Sequence, residues 1–186
     1  MDSPALRTFV TGFAAFGRFT VNPAALLAQS LGRRFEVLEV AFAAVDDFVE
    51  RLAADDSFDR LLMIGVAGDR EIIKLERLAT NTIGEGADVR GMVRGPGPIE
   101  PAAPQVLIST LFEPPPQIPL ATSDDAGCYL CNYAYYRALR RLPHRRIGFV
   151  HVPPLEAMSM EAQRSAMTRL IEAIEFDQPP LAPRSR

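Results

Sequence analysis

Hydrophobic and polar positions along this chain change period repeatedly, and the changes mark out an alternation of strands and helices. Ala5 to Thr11 is a short apolar run that enters the turn TGFAAFGRF. Asn22-Pro23 then supplies a side-chain cap and a first-turn proline, predicting a helix to about Leu31. Phe35 to Phe42 reads as a second strand. Val45, Phe48, Val49 and Leu52 share one face of a helix running from about Val45 to Ala54. Arg60 to Gly65, RLLMIG, is continuously apolar, as expected for a parallel central strand covered on both faces. Glu71 to Asn81 predicts a more polar strand.

Gly84 to Pro104 is rich in Gly, Pro and charge without sustained periodicity, and predicts a long loop or flap. Pro104 to Phe112 reads as helix and Ile118 to Ser123 as strand. A further helix follows Cys131 and runs to about Leu142. Arg146 to Val152, RIGFVHV, predicts a last buried strand, and Ser159 caps a final helix through about Phe176. Strands alternating with helices predict an α/β fold, a three-layer sandwich with a largely parallel, twisted sheet between helices. At 186 residues one core is expected, a single domain over 1–178 followed by a disordered tail at 179–186.

Composition narrows the partners. A net charge of -3, with arginines scattered in doublets rather than gathered on a stripe, argues against nucleic acid and anionic membranes. The N-terminal MDSPALRTFV lacks the basic segment and apolar run of a secretory signal, and no apolar stretch reaches transmembrane length, so a cytoplasmic location is expected. Composition does not itself choose a substrate, and it leaves a homo-oligomer open. No P-loop or dinucleotide fingerprint occurs, so no cofactor is expected.

The chemistry-bearing residues are few. Cys128 and Cys131 form a C-x-x-C at the mouth of a predicted helix, and the only histidines are His144 and His151. Zinc would want four ligands of matched environment, which this set does not offer, and no metal is expected. A thioredoxin-like pair would come earlier in the chain. The three-residue separation does permit a strained disulfide between the cysteines. His151 ends the apolar strand IGFV, whereas His144 sits in the turn LPHRR. An imidazole and a helix N-terminus both favour thiolate, so Cys131 and His151 in one crevice would make a nucleophile and its base, with a carboxylate to orient the ring. Glu76, Asp124, Asp125 and Glu156 are the candidates, and spacing alone does not choose among them.

Four segments, in order, resemble the pyroglutamyl peptidase I family of cysteine peptidases. VTGFAAFGRFTVNP is similar to that family's TGF-x-x-FG…NP, and GVAGDREIIKLERLATN to its GQAGGR…ERVAIN. AGCYLCN is similar to AGT[FY]-[VL]-CN, and GFVHVP to GF[IV]H[IV]P. The resemblance covers Val10 to Pro153 and implies a cytoplasmic enzyme that removes N-terminal pyroglutamate from a small peptide or amide substrate through an acyl-enzyme. It puts the nucleophile on Cys131, the base on His151 and the orienting acid on Glu76. It also implies a slot for the flat lactam between Phe13 and Phe16, with Val66, Tyr129 and Leu130 on the substrate wall. Val66 stands where the family has Gln, Asp69 where it has Gly, and the family's A-R-I-P-D-N arginine is missing, Arg90 being the candidate to replace it. These departures keep open a divergent amidase for another small N-acyl or lactam amide, and a non-catalytic binding or thiol-switch descendant.

Overall fold

A computed structural model describes residues 7–113 and 115–177; the predicted tail at 179–186 lies outside them. The chain runs β1 (Thr8–Phe13), α1 (Pro23–Ser30), β2 (Arg34–Leu38), α2 (Phe42–Ala53), β3 (Arg60–Val66), β4 (Lys74–Glu76) and β5 (Leu78–Thr80). It continues with β6 (Val106–Ile108), β7 (Ala121–Ser123), α3 (Leu130–Arg141), β8 (Arg146–Val152) and α4 (Met160–Asp177). Six strands form one sheet in the order β2-β1-β3-β8-β4-β7, parallel except where β4 meets β8. The three-layer α/β architecture is therefore as expected.

Strand alternation divides the core. Phe9, Leu61, Met63, Ile147 and Phe149 face α2 and α3, where they meet Phe42, Val45, Phe48, Tyr133 and Tyr136. Their neighbours Val10, Leu62, Ile64, Val150 and Val152 face α1 and α4, against Leu27, Met167, Leu170 and Ile174. The two central strands β3 and β8 run side by side from Arg60↔Arg146 to Val66↔Val152, so their carboxyl ends finish together. That common rim is where catalytic groups gather in sheets of this kind.

Several boundaries differ from the sequence expectation. The helix predicted over Pro104 to Phe112 is a strand: β6 pairs antiparallel with β5 in a separate two-stranded sheet, with Leu107 directed at the core and Val106 and Ile108 exposed. The period of two in Val106-Leu107-Ile108, with two β-branched residues, wins once a partner strand is present. Ser109 then turns the chain, accepting from the backbone N–H groups of Leu111 and Phe112 and donating to Ile147 O. The predicted strand 71–81 is two strands in two sheets, β4 in the main sheet and β5 outside it. The strand predicted to Phe42 stops at Leu38, and α2 begins at Phe42 with its first N–H donated to Asp88 Oδ2 at 2.9 Å. The cap for α2 thus comes from the flap, 46 residues away in sequence.

The flap is well tied. Asp88 also accepts from the backbones of Arg90 and Met92, and Asn81 exchanges hydrogen bonds with the backbone of Glu100. Gly84 N–H donates to Cys128 O and the Tyr129 hydroxyl donates to Ala87 O, so the flap is fastened to the segment that leads into α3.

Candidate active site

Cys131 occupies the first turn of α3, whose N-cap, Tyr129, has extended backbone and no side-chain cap. The leading N–H groups of a helix have no intrahelical acceptor, and they create a local positive potential that favours thiolate. Asn132 fixes this helix end. Completely buried, it accepts from Thr80 N–H at 2.9 Å and donates to Thr80 O at 2.8 Å and Thr82 O at 2.9 Å, pinning α3 to β5.

His151 lies near the end of β8 on the same face as Phe149, which faces α3. Glu76 on β4 stands opposite Phe149 and so reaches His151 diagonally across the ladder. The result is a 2.8 Å contact between His151 Nδ1 and Glu76 Oε1, with Glu76 wholly inaccessible and His151 5% exposed. Beside a carboxylate oxygen Nδ1 must carry the proton, and the other ring nitrogen is left for the hydrogen bond His151 makes with Cys131. Burial disfavours the imidazolium. The hydrogen bonds to Cys131 and Glu76 and their negative charge outweigh it, lifting the His151 pKa from 6.5 to about 9. Phe149 stacks obliquely on the imidazole, 5.0 Å between centroids, and holds its plane.

Gly65 stands opposite His151 in the β3–β8 register, on this same face. A Cβ there would lie 2.8 Å from both Cys131 Sγ and Phe149 Cζ, so the thiol sits in the space that the missing side chain leaves. Cys128 is exposed and its sulfur faces Gly84 on the flap; both cysteines are free.

The remaining residues expected at the site lie in different surroundings. Phe13 is buried in the core beside α2 and α3, and Phe16 packs half-buried on the same cluster with its ring 5.5 Å from that of Phe19. Tyr129 is half-buried at the flap, its phenol pushed up by burial and by negative charge at Asp88 and Cys131. Leu130 is buried in the core. Val66, by the alternation of β3, belongs to the face of Ile64 and Val152 rather than to that of Gly65. Arg90 is exposed and paired with Glu39, the contact holding the flap to the segment after β2. Of the alternative acids, Asp124 pairs with Arg77, Asp125 accepts from Gly127 N–H, and Glu156 is exposed beyond β8.

Two further residues at the site, Arg70 and Asn132, lie in the segments GVAGDR and AGCYLCN that carry the family resemblance, yet neither is assigned a role from sequence. Asn132 looks like an ordinary helix residue next to Cys131. Arg70, in the turn after β3, places Nη2 3.4 Å from Glu76 Oε1, six residues on, while its contacts to Ser123 and Asp125, like those of Asn132 to Thr80 and Thr82, join residues 50 to 55 apart in sequence. Among the described residues no group of His, Cys, Asp and Glu is arranged to hold a metal ion, and no helix is long and apolar enough to cross a membrane.

Known proteins place most of the chain in one family. The family model described as pyroglutamyl peptidase matches residues 6–174. A pyrrolidone-carboxylate peptidase of Pyrococcus furiosus is 32% identical over 173 residues, covering 80% of this chain and 81% of that protein. One from Thermococcus onnurineus is 28% identical over 181 residues, covering 87% and 90%. The crystal structure of a pyrrolidone carboxyl peptidase from Thermus thermophilus matches the fold with a TM-score of 0.77 at 33% identity, covering 89% of this chain and 99% of the other. With a sheet, a helix order and a sequence that agree over nearly their full length, this chain belongs to the pyroglutamyl peptidase family and is a peptidase of that type.

Proposed function

We propose that the protein hydrolyses the amide bond after an N-terminal pyroglutamate, with Cys131 as nucleophile, His151 as base and acid, and Glu76 as the group that orients the imidazole. The observation that carries the reading is the chain of contacts from Cys131 through His151 to Glu76, at the uncapped start of α3. The relatives' names, pyrrolidone-carboxylate peptidase, supply the substrate class.

Cys131 gives its thiol proton to His151, whose raised pKa favours the imidazolium. The sulfur attacks the carbonyl that joins pyroglutamate to the next residue, forming a C–S bond. The oxyanion that develops is met by first-turn N–H groups of α3, those of Cys131 and its neighbours. His151 donates its proton to the leaving amine as the C–N bond breaks, and then takes a proton from water, which hydrolyses the thioester and frees Cys131. On the pyroglutamyl side the half-buried Phe16 is the aromatic group open to a ligand, with Phe13 buried in the same apolar cluster, and a small uncharged ring gains from apolar burial there.

The test is hydrolysis of a pyroglutamyl amide by the protein and by single-cysteine variants. Cys131→Ser is expected to lose turnover by several orders of magnitude, and an acyl adduct is expected on Cys131 by mass spectrometry of the quenched reaction. Cys128→Ser should stay within about threefold of the parent, since exposed positions away from the chemistry rarely matter more. Full activity in Cys131→Ser, or its loss only in Cys128→Ser, would overturn the assignment.

A further inference from the structure

Arg70 lies beside the proposed triad without touching its sulfur or imidazole in any contact the structure records. Its Nη2 reaches three acceptors on three elements: Asp125 O at 2.9 Å, Ser123 Oγ at 3.3 Å and Glu76 Oε1 at 3.4 Å. Asp125 and Ser123 belong to the end of β7 and to the loop that leads through Ala126 and Gly127 to Cys131. That loop is itself tightened by Ser123 Oγ accepting from Asp125 N–H and by Asp125 Oδ1 accepting from Gly127 N–H. Glu76 Oε1 is the same oxygen that His151 Nδ1 contacts, while Oε2 is buried with no hydrogen-bond partner among the described residues. The whole of the carboxylate's recorded polar contact therefore runs through one oxygen shared by two cationic groups.

We propose that Arg70 is a positioning residue of this site, dividing the charge of Glu76 with His151 and fixing the loop that delivers Cys131. The inference rests on the triad reading above. Its physical content is that a carboxylate held by a guanidinium has less negative potential to offer the imidazolium on its other side. The charged groups around His151 are Glu76 and, opposite it in register, Lys74 on β4; Cys131 on α3; and Arg70 acting through Glu76 from the turn after β3. The neighbouring β3 positions, Gly65 and Val66, do not titrate. Removing the Arg70 charge leaves Glu76 to His151 alone and stabilises the imidazolium further. Arg70 thus keeps the base from being too strong an acceptor to release its proton to the leaving amine.

Because the chain has only two histidines, imidazole Cε1–H resonances can be followed by NMR titration, with His144→Gln identifying the other signal. In the parent protein His151 should titrate near 9. Arg70→Met is expected to raise that midpoint by about half a unit or more, and to lower kcat on a pyroglutamyl amide by about tenfold or more with a smaller change in KM. Arg70→Lys, which keeps the charge but not the fork, should hold the midpoint and recover most of kcat. Arg70→Gln, uncharged yet able to reach Asp125 O, must move the midpoint in the same direction as Arg70→Met, which guards against a variant that merely fails to fold. An unmoved or lowered midpoint in the folded uncharged variants overturns the proposal, whatever happens to kcat. The titration needs no substrate, so a parent protein inactive on pyroglutamyl amides would overturn the proposed function and leave the Arg70 result readable.

Discussion

Gly65→Ala puts the steric logic of the site to a direct test. The added Cβ would stand 2.8 Å from Cys131 Sγ, 2.8 Å from Phe149 Cζ and 3.0 Å from Phe149 Cε1, all well inside van der Waals contact. Phe149 cannot easily give way: it is fully buried, with Tyr135 at 5.7 Å and His151 at 5.0 Å between ring centroids. Cys131 is only half-buried, so the sulfur is the group that moves. Overpacking of this kind costs about 1–3 kcal/mol. At about 3 °C per kcal/mol for a chain of this size, a mid-range cost lowers Tm by about 6 °C. A displacement of the order of 1 Å between nucleophile and base costs about a hundredfold in rate. The assay pairs kcat/KM on a pyroglutamyl amide with thermal unfolding and with the rate of thiol alkylation by a small uncharged reagent. The expected pattern is a large loss of kcat, a modest loss of Tm, and a thiol that still alkylates because it has been turned rather than buried. Wild-type turnover in a stably folded Gly65→Ala protein would refute the claim that the glycine exists to seat the sulfur.

Two other outcomes follow from the same contacts. His151 has its pKa raised from 6.5 to about 9, so the imidazole taken alone holds in the native state a proton that the unfolded chain has lost between those values; its contribution to stability is complete below about pH 6.5 and is lost as pH rises through 9, less what Cys131 gives back by passing its own proton to His151. Urea unfolding across that range should show the decline, and His151→Gln should show less of it; equal pH dependence in the two proteins would contradict the assignment. Asn132→Ala removes three hydrogen bonds to Thr80 of β5 and to Thr82 two residues beyond it, leaving partly buried backbone groups unpaired, and is expected to cost about 2–4 kcal/mol and to reduce kcat as the start of α3 loosens; an unchanged urea midpoint would count against the pin.

Local sequence was sufficient wherever one segment carries its own signal. The apolar runs RLLMIG and RIGFVHV become the two central strands because burial on both faces needs nothing beyond their own side chains. Asn22 and Pro23 start α1 by a hydrogen bond between near neighbours, Ala24 N–H to Asn22 Oδ1. Cys131 and His151 were legible as candidates because each ends or begins an element at the rim where such sheets place their chemistry. What the chain could not announce is every feature whose cause lies on another element. β6 is a strand because β5 pairs with it, and α2 starts at Phe42 because Asp88 reaches it from the flap. The choice of Glu76 over the other acids depends on β4 running antiparallel to β8, which sets Glu76 on the diagonal from His151. Arg70 and Asn132 acquire their parts through folding, Asn132 and two of the three Arg70 contacts reaching partners about fifty residues away, whereas the turning of Val66 away from the face of Gly65 follows from strand alternation and was legible locally. Periodicity reports which face of an element is apolar, whereas the identity of the facing atoms is a property of the closed sheet and its helices.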